Sequence, residues 1–163
     1  MSNGEIHINE KYAPLFDTSV KCRYFVLTGG RGSGKSYAVS TSECNHTTAN
    51  EPHKTLFTRY TMTAAHISII PEFSEKIEVL GMENSFDVQL KDIVNTDTGN
   101  SILFRGIKTS SGNQTANLKS IQGITTWIID EAEELVDEDT FDTIDLSIRE
   151  KSVQNRVIIL LNP

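Results

Sequence analysis

The sequence feature that most constrains this chain is a glycine-rich run at residues 29–36, which reads GGRGSGKS. The run fits the phosphate-binding loop (Walker A) pattern, in which a glycine and four free positions precede Gly-Lys-Ser. The apolar stretch 23–28 predicts a buried strand before the run, and 35–50, which lacks Gly and Pro, predicts a helix after it. This strand–loop–helix order is the context that the pattern requires, and it disfavours a glycine-rich turn that binds nothing.

The run predicts nucleotide binding, because its backbone N–H groups and the start of the following helix can surround phosphate oxygens. The side chain of Lys35 is predicted to reach the outer phosphates, and the hydroxyl of Ser36 is predicted to hold Mg²⁺. The predicted nucleotide-binding residues of the run are Gly29, Gly30, Arg31, Gly32, Ser33, Gly34, Lys35 and Ser36.

Length and composition are typical of one globular domain. We predict a single domain over all 163 residues, 1–163, which begins with an amphipathic lead-in at 1–22 whose apolar side chains pack against the rest. The sequence has no apolar run long enough to span a membrane and no signal-peptide pattern, so no membrane partner is expected. Cys22 and Cys44 have no metal-ligand spacing and are predicted to be reduced thiols, which suits a cytosolic protein.

Charge is distributed unevenly along the chain. The net charge of −7 disfavours a protein that coats nucleic acid through bulk electrostatics. Residues 98–129 contain no acid, whereas 130–150 contain ten acids and one base, a pattern that fits either a basic edge on an acidic body or ordinary solvated surface. Within the first stretch, the polar segment 108–123 is predicted to be a mobile loop that contacts a polymer or a neighbouring subunit.

Alternating strand and helix patterns follow the loop. Residues 54–59 are predicted to form a second strand, and 61–80 are predicted to form a helix that Pro71 kinks or divides. A period of two over 86–90, and strand-like residues at 101–105 after a turn, predict an antiparallel hairpin added to the strand–helix alternation.

A second anchor is the apolar stretch 126–129 followed by Asp130 and Glu131, which is the Walker B arrangement. At the carboxyl end of a strand, Asp130 is predicted to lie beside the Mg²⁺ that Ser36 holds. Glu131 is predicted to polarise the water that attacks the terminal phosphate. An apolar run before Asp-Glu is weak evidence alone, but it is strong evidence downstream of a phosphate-binding loop.

One helix is predicted over 132–150. Glu133 and Glu134 are rivals of Glu131 for the catalytic base, but they lie on this helix and are predicted to point elsewhere. The predicted buried side chains of the helix are Leu135, Val136, Phe141, Ile144 and Ile148.

The last predicted strand is 156–161, and Asn162 follows it directly. In P-loop ATPases with an acid after Walker B, such a strand lies between the other two anchor strands. This position places Asn162 near the terminal phosphate as a polar sensor, although an asparagine that only forms the turn at a strand end is the alternative. Because the chain ends directly after this strand, we expect it to be the front portion of a longer protein.

Together these motifs resemble the ATPase domain of tailed-bacteriophage large terminase subunits. The resemblance rests on residues 29–36, 104–106, 118–123, 127–135 and 161–163. It implies an α/β fold of the P-loop NTPase class, of the additional-strand, RecA-like type. Such a fold is a three-layer sandwich with a mainly parallel central sheet, here with an inserted antiparallel hairpin.

The resemblance also implies a function. Members of the family hydrolyse ATP with Mg²⁺ to drive double-stranded DNA into a procapsid in the host cytoplasm. They act as a homo-oligomeric ring on the portal, usually a pentamer, and a small terminase subunit selects the DNA. Large terminases carry a C-terminal RNase H-like nuclease as well, but no part of this sequence corresponds to it, so nuclease activity is not expected in this chain.

Residue roles follow from the same resemblance. Lys35 and Ser36 serve phosphate and Mg²⁺, Asp130 serves the metal, and Glu131 is the catalytic carboxylate. Asn162 sits in the segment that couples hydrolysis to movement. Some members keep an arginine within the loop that senses the terminal phosphate, and Arg31 occupies that place. A ring also implies an arginine finger that acts on the neighbouring subunit. The candidates are Arg105 and Arg149, for which surface ion pairing is an equally good explanation.

Other P-loop proteins are alternatives. A GTPase is disfavoured because the chain has no Asn-Lys-x-Asp sequence, and a nucleotide kinase is disfavoured because adjacent Asp and Glu suit water activation. A helicase- or recombinase-type ATPase would carry a similar Asp-Glu-Ala-Glu segment. A nucleotide-dependent assembly module, which binds ATP and turns it over poorly alone, is the alternative that is not an enzyme.

Overall fold

The computed structural model describes residues 5–62, 65–109 and 112–163. Its strands are β1 (Tyr24–Thr28), β2 (Lys54–Thr61), β3 (Phe86–Val88), β4 (Asp92–Asn95), β5 (Ser101–Thr109), β6 (Gly112–Asn113), β7 (Thr126–Ile129) and β8 (Arg156–Leu161). Its α-helices are α1 (Ala13–Phe16), α2 (Lys35–His46), α3 (Ala65–Val79), α4 (Thr115–Lys119) and α5 (Glu138–Asp145). Short 3-10 turns lie at Glu10–Tyr12, Glu83–Ser85 and Ala132–Glu134. Among the described residues, no helix is long and apolar enough to cross a bilayer.

All eight strands belong to one mixed sheet with the order β1-β8-β7-β2-β5-β4-β3, and β6 pairs with β5. Strands β1, β8, β7, β2 and β5 are mutually parallel, whereas β3, β4 and β6 are antiparallel additions. The mainly parallel α/β fold is therefore confirmed, and β8 lies between β1 and β7 as predicted. Parallel strands place their carboxyl ends at one edge of the sheet, where ligands of such folds bind.

Helices cover both faces of the sheet, so the domain has three layers. Neighbouring side chains of a strand point to opposite faces, and two separate apolar clusters result. Phe57 and Ile128 belong to the cluster that contains residues of α1, α2 and α3. Leu56 and Trp127 belong to the other cluster, with residues of α4 and α5. The indole N–H of Trp127 donates to the Thr58 hydroxyl over 2.9 Å, so this buried ring also ties β7 to β2.

The lead-in packs onto the domain as predicted. Tyr12 and Leu15 are buried against α2. The Leu15 carbonyl accepts from Arg156 Nη1 at 3.1 Å and lies 2.7 Å from His46 Nε2, while the Asp17 carbonyl accepts from Arg156 Nη2 at 2.9 Å. These contacts fix the lead-in to the end of α2 and to the start of β8.

The single helix predicted over 132–150 is wrong. Glu131 adopts a left-handed conformation (φ 52°, ψ 47°), the 3-10 turn at Ala132–Glu134 follows, and Leu135 is extended. The carboxylate of Asp137 accepts from the Thr140 hydroxyl at the start of α5, which ends at Asp145. Backbone geometry after the strand therefore overrides helical spacing.

The predicted buried face of that segment is correct only in part. Ile144 and Ile148 are buried, and Leu135 and Phe141 are partly buried. Val136, in contrast, is 89% exposed, because it lies in the extended link before α5 rather than on a helix.

The inserted antiparallel structure is confirmed, with β4 paired to both β3 and β5, so β3 and β5 do not pair directly. Of the two alternatives for Pro71, the start of a new helix is wrong, because Pro71 lies within one α-helix. A further prediction needs correction. The segment 108–123 is not a loop throughout, since it contains β6 and α4, and Leu118 is buried. Residues 63–64 and 110–111 lie outside the described part of these segments.

Candidate active site

Most of the predicted site residues line a cleft at the carboxyl ends of β1, β2, β7 and β8. The cleft has a volume of about 340 Å³. Its lining residues are Gly30, Arg31, Gly32, Ser33, Gly34, Lys35, Ser36, Tyr37, Arg59, Asp130, Glu131 and Asn162. The structure thus brings the loop, both Walker B acids and the asparagine after β8 to one place, and Gly29 begins the loop behind them.

The loop curls around the side chain of its own lysine. Lys35 is buried, and its Nζ donates to the carbonyl of Gly29, to the carbonyl of Gly30 at 3.4 Å and to the hydroxyl of Ser33 at 3.2 Å. A Cβ at Gly29 would lie 2.9 Å from Ser33 Oγ, so only glycine allows this close approach. Gly34 precedes α2 in a left-handed conformation (φ 84°), which turns the loop into the helix.

Tyr12 of the lead-in holds the loop from behind. Its hydroxyl donates to the Ser33 carbonyl over 2.8 Å, and its ring is almost fully buried. A Cβ at Gly34 would lie 3.6 Å from the ring, in ordinary van der Waals contact. Spacing along the chain gives no signal for this contact, because Tyr12 and Ser33 are 21 residues apart.

The two Walker B acids leave β7 in different environments. The Asp130 N–H donates to the Thr58 carbonyl over 2.8 Å, and its side chain is 12% exposed. The side chain of Glu131 is 39% exposed to the cleft. Its left-handed backbone is uncommon for a residue other than glycine, and such strain is concentrated at functional sites.

Arg59 near the carboxyl end of β2 is a site residue that sequence reasoning missed. Its Nε and Nη2 both contact Asp130 Oδ2 at 2.7 Å, and its Nε lies 3.9 Å from Glu131 Oε2. The available signal was its position near the end of a predicted strand, since the carboxyl ends of parallel strands share one edge.

A small cavity beside the cleft is lined by Ser36, Arg59, Asp130 and Glu72 of α3, among others. Burial raises the pKa of Glu72 above its ordinary value, the charge of Asp130 adds to this shift, and Lys76 opposes it. Ser36 and Asp130 therefore line one small cavity together with Glu72.

Asn162 and Glu133 form a hydrogen-bonded pair at the rim of the cleft. Asn162 donates to Glu133 from its side-chain amide over 3.1 Å and from its backbone N–H over 3.3 Å. Slight burial would raise the pKa of Glu133, but these hydrogen bonds and the charge of Lys35 lower it overall. Glu133 is not among the residues that line the cleft, but the 3-10 turn, which replaces the predicted helix, brings it to Asn162 at the end of β8.

The two candidate finger arginines lie outside the cleft. Arg105 on β5 donates from Nη1 to Asp92 Oδ1 at 2.8 Å and to the Lys91 carbonyl at 3.0 Å. Arg149 is exposed and follows the buried Ile148 beyond α5. Neither residue lines the loop of its own chain, which leaves their predicted action on a neighbouring subunit as a prediction.

The described residues contain no group of three His, Cys, Asp or Glu side chains that could hold a metal ion. A serine and one aspartate are nevertheless a donor set that suits Mg²⁺, which keeps several waters and is usually bound together with phosphates. Ser36 and Asp130 line the same cleft as the phosphate-binding loop.

A sequence model of the family described as phage terminase large subunit matches residues 21–163. The chain belongs to this family. Among curated proteins, none matches it.

Solved structures of large terminases share the fold. The large terminase of a thermophilic bacteriophage is 15% identical with a TM-score of 0.71, and the match covers 94% of this chain and 39% of that one. The Thermus phage P74-26 large terminase ATPase domain is 17% identical with a TM-score of 0.62, and the match covers 98% and 71%. This chain therefore has the fold of a terminase ATPase domain and spans well under half the length of the first of these two proteins.

Two other solved structures concern nucleotide and assembly. The same thermophilic bacteriophage terminase, in complex with ATP-gamma-S, is 15% identical to this chain with a TM-score of 0.64, covering 94% of this chain and 38% of that one. A chain of the bacteriophage Phi-29 viral genome packaging motor assembly is 13% identical with a TM-score of 0.56, covering 88% and 44%.

Proposed function

We propose that this chain is the ATP-hydrolysing domain of a viral DNA-packaging motor, formed by residues 1–163. The observation that carries the proposal is the convergence of the phosphate-binding loop, Asp130, Glu131 and Asn162 on one cleft at the carboxyl edge of the sheet. A phosphate-binding loop alone implies only nucleotide binding, whereas an exposed carboxylate facing that loop implies hydrolysis. Membership of the phage terminase large subunit family agrees with this chemistry.

The cleft fits ATP with Mg²⁺. The loop N–H groups and the start of α2 would bind the phosphates, and the buried ammonium of Lys35 would turn from the loop carbonyls to a phosphate oxygen. Ser36 and Asp130 would hold the metal ion. The metal, when bound, supplies positive charge that neutralises the phosphate oxygens during hydrolysis.

The catalytic carboxylate in this proposal is Glu131. It is the more exposed of the two Walker B acids, and it lines the cleft from the end of β7, opposite the loop. In that position it orients a water and accepts its proton at a carboxylate oxygen. Arg31 lies on the loop side of the cleft as a cationic group for the terminal phosphate, and Asn162 senses that phosphate from the tip of β8.

The polymer substrate and the partners are also proposals. The Phi-29 neighbour is part of a viral genome packaging motor assembly, and we infer the same kind of assembly for this chain. It would act as a homo-oligomeric ring, usually a pentamer, on the portal of a procapsid in the host cytoplasm. There it would move double-stranded DNA selected by a small terminase subunit, and DNA cutting would require residues outside this sequence.

Two substitutions test the proposal. Lys35→Ala is expected to abolish ATP binding in a calorimetric titration while the circular dichroism spectrum stays unchanged. Glu131→Gln is expected to retain ATP binding and to lower phosphate release by about 10²-fold or more, because a general base contributes a factor of about 10²–10⁴.

A matched control for the second change is Glu134→Gln. Glu134 is an exposed glutamate three residues along the chain, and it does not line the cleft. Unchanged ATP affinity in Lys35→Ala would overturn the nucleotide site. Equal hydrolysis in Glu131→Gln and the wild type would overturn the catalytic role and would favour an assembly module.

A further inference from the structure

The ion pair between Arg59 and Asp130 places a positive charge on the carboxylate that would face a metal ion and occupies one of its two oxygens. Two nitrogens of the guanidinium, Nε and Nη2, both lie 2.7 Å from Asp130 Oδ2. A carboxylate oxygen that accepts two charge-assisted hydrogen bonds has no lone pair left for a cation. Asp130 is therefore neutralised by its own chain.

Arg59 is placed among several acids. Glu131 Oε2 lies 3.9 Å from its Nε, and Glu72 lines the same small cavity. Among the described residues, Arg59 is the only base in an ion pair with either Walker B acid. The arginine thus compensates a cluster of negative charge that would otherwise be destabilising.

The same side chain has room to leave. Arg59 is 27% exposed, and it lines both the small cavity next to Ser36 and the larger cleft beside the loop. A long side chain at such a border can release a carboxylate and enter the cleft without a movement of β2. Asp130 itself is buried, at 9% exposure, so the guanidinium leaves at low cost only when another cation takes its place.

We propose that Arg59 is a positioning residue that acts as the internal counter-ion of Asp130 and exchanges with the divalent cation of an incoming nucleotide. This inference rests on the proposed function of the cleft. A metal ion alone that binds Asp130 lies beside the positive charge of the guanidinium, which opposes its binding. A metal–triphosphate complex instead brings the cation for Asp130 together with anionic oxygens that give the guanidinium a new partner.

The exchange makes metal binding depend on nucleotide binding. Without nucleotide, the cluster favours Arg59 and disfavours a second cation, because like charges about 4 Å apart repel strongly in a partly buried site. With nucleotide, the phosphate charge removes this penalty. Arg59 therefore disfavours metal binding in the absence of nucleotide and keeps Asp130 and Glu131 in place between turnovers.

The test is a titration of the full chain with Mn²⁺, which suits the same oxygen ligands as Mg²⁺, with free Mn²⁺ measured by electron paramagnetic resonance. In the absence of nucleotide, Arg59→Gln is expected to bind Mn²⁺ about tenfold more tightly than the wild type, since one neighbouring cation is removed. In an Asp130→Asn background, the same substitution is expected to leave Mn²⁺ affinity unchanged.

Arg23→Gln is the matched control. Arg23 Nη2 contacts Asp145 Oδ1 at 2.8 Å with a similar exposure of 32%, but it lies away from the cleft. Arg23→Gln removes one surface cation from an ion pair. It is expected to change the affinity for Mn²⁺ without nucleotide by less than about twofold.

If Arg59→Gln does not fold, Arg59→Lys is the second variant, because it keeps the positive charge that compensates the acids. It loses the two-nitrogen contact, and a smaller gain of about threefold in Mn²⁺ affinity is expected. No gain in either Arg59 variant would overturn the inference, as would an equal gain in Arg23→Gln. Failure of the wild type to bind ATP-gamma-S would overturn the proposed function instead, because the Mn²⁺ titration contains no nucleotide.

Discussion

The two edges of the parallel sheet each carry a carboxylate paired with a base, and the surroundings of the two pairs differ. At the carboxyl edge, Asp130 pairs with Arg59 at 2.7 Å, and their side chains are 12% and 27% exposed. At the opposite edge, Glu43 near the end of α2 pairs with His53 Nε2 at 2.8 Å, and their side chains are 2% and 15% exposed. The distances are nearly equal, so burial distinguishes the pairs.

The pair at the opposite edge is fixed by further hydrogen bonds. The Thr55 hydroxyl donates to Glu43 Oε2 over 2.5 Å, and the ring of His46 lies 5.4 Å from that of His53. A buried ion pair with complete partners is difficult to rearrange, because loss of either partner leaves an uncompensated charge. We conclude that the Glu43 pair holds the fold, whereas the Asp130 pair is free to exchange partners.

The lead-in contacts both edges. Its Leu15 carbonyl accepts a hydrogen bond from Arg156 at the start of β8. Its Tyr12 hydroxyl donates a hydrogen bond to the Ser33 carbonyl in the phosphate-binding loop. The lead-in, which lies outside the sheet, therefore connects the edge that carries the Glu43 pair to the carboxyl edge that carries the cleft.

The largest effect on stability is expected for Glu43→Gln. The free energy of unfolding at neutral pH should fall by about 2–3 kcal/mol, because hydrogen bonds to a charged group contribute about 1.5–3 kcal/mol. ATP affinity should stay unchanged. Urea unfolding measures the first quantity and calorimetry the second. Asp130→Asn is the matched change at the other edge, where a loss of stability as large as that of Glu43→Gln would break the comparison.

The loss in Glu43→Gln should also depend on pH. Burial alone would raise the pKa of Glu43, but the charge and hydrogen bond of His53, with His46 and Thr55, lower it below its ordinary value of 4.5. The ionised form therefore stabilises the folded state above that value, and this contribution disappears as the pH falls through the lowered pKa. Unfolding of both proteins across this range should show the difference shrinking on acidification.

A smaller effect on stability is expected for Tyr12→Phe, which removes the hydroxyl that binds the Ser33 carbonyl. Stability should fall by about 1 kcal/mol, and the Kd for ATP-gamma-S should rise about threefold to fivefold, because the loop loses a fixed contact. Tyr24→Phe is the control, since it loses a hydrogen bond of 2.7 Å to Asp145 far from the loop. Equal nucleotide affinity in both variants would show that the lead-in does not affect nucleotide binding by the loop.

The smallest effect on stability is expected for Arg105→Ala and Arg149→Ala. The Arg105–Asp92 pair is partly exposed, with side chains 29% and 27% accessible, and such pairs contribute about 0–1 kcal/mol. If either arginine acts on a neighbouring subunit, its loss lowers ATP turnover only in the assembled state. Turnover measured against protein concentration decides this, and an equal loss in dilute monomer would refute the role.

Much of the site at the carboxyl edge of the sheet was predictable, because its residues belong to short motifs that follow apolar strands. The loop, Asp130 and Asn162 each follow an apolar strand, and the carboxyl ends of parallel strands meet. The same rule applied to 54–59 would have found Arg59, whose position near the end of β2 was visible in the sequence. The place of β8 between β1 and β7 was predictable too, whereas the places of the other strands in the sheet were not predicted.

Contacts between distant segments were not predictable from one sequence. The Tyr12–Ser33 hydrogen bond and the Glu43–His53 pair join residues far from any common motif. The helix predicted over 132–150 failed for a different reason. Its apolar spacing is helical, but the left-handed backbone at Glu131 is a conformational choice that composition does not reveal.

The left-handed backbone of Glu131 has opposite effects on the stability of the fold and on the position of its carboxylate. A left-handed residue other than glycine costs about 1–2 kcal/mol, and the left-handed turn at Glu131 directs its carboxylate into the cleft. Engineering or selection for thermal tolerance alone would favour glycine or asparagine here, with loss of the carboxylate that we propose as the general base. A glutamate at this point therefore keeps a carboxylate in the cleft at the expense of stability.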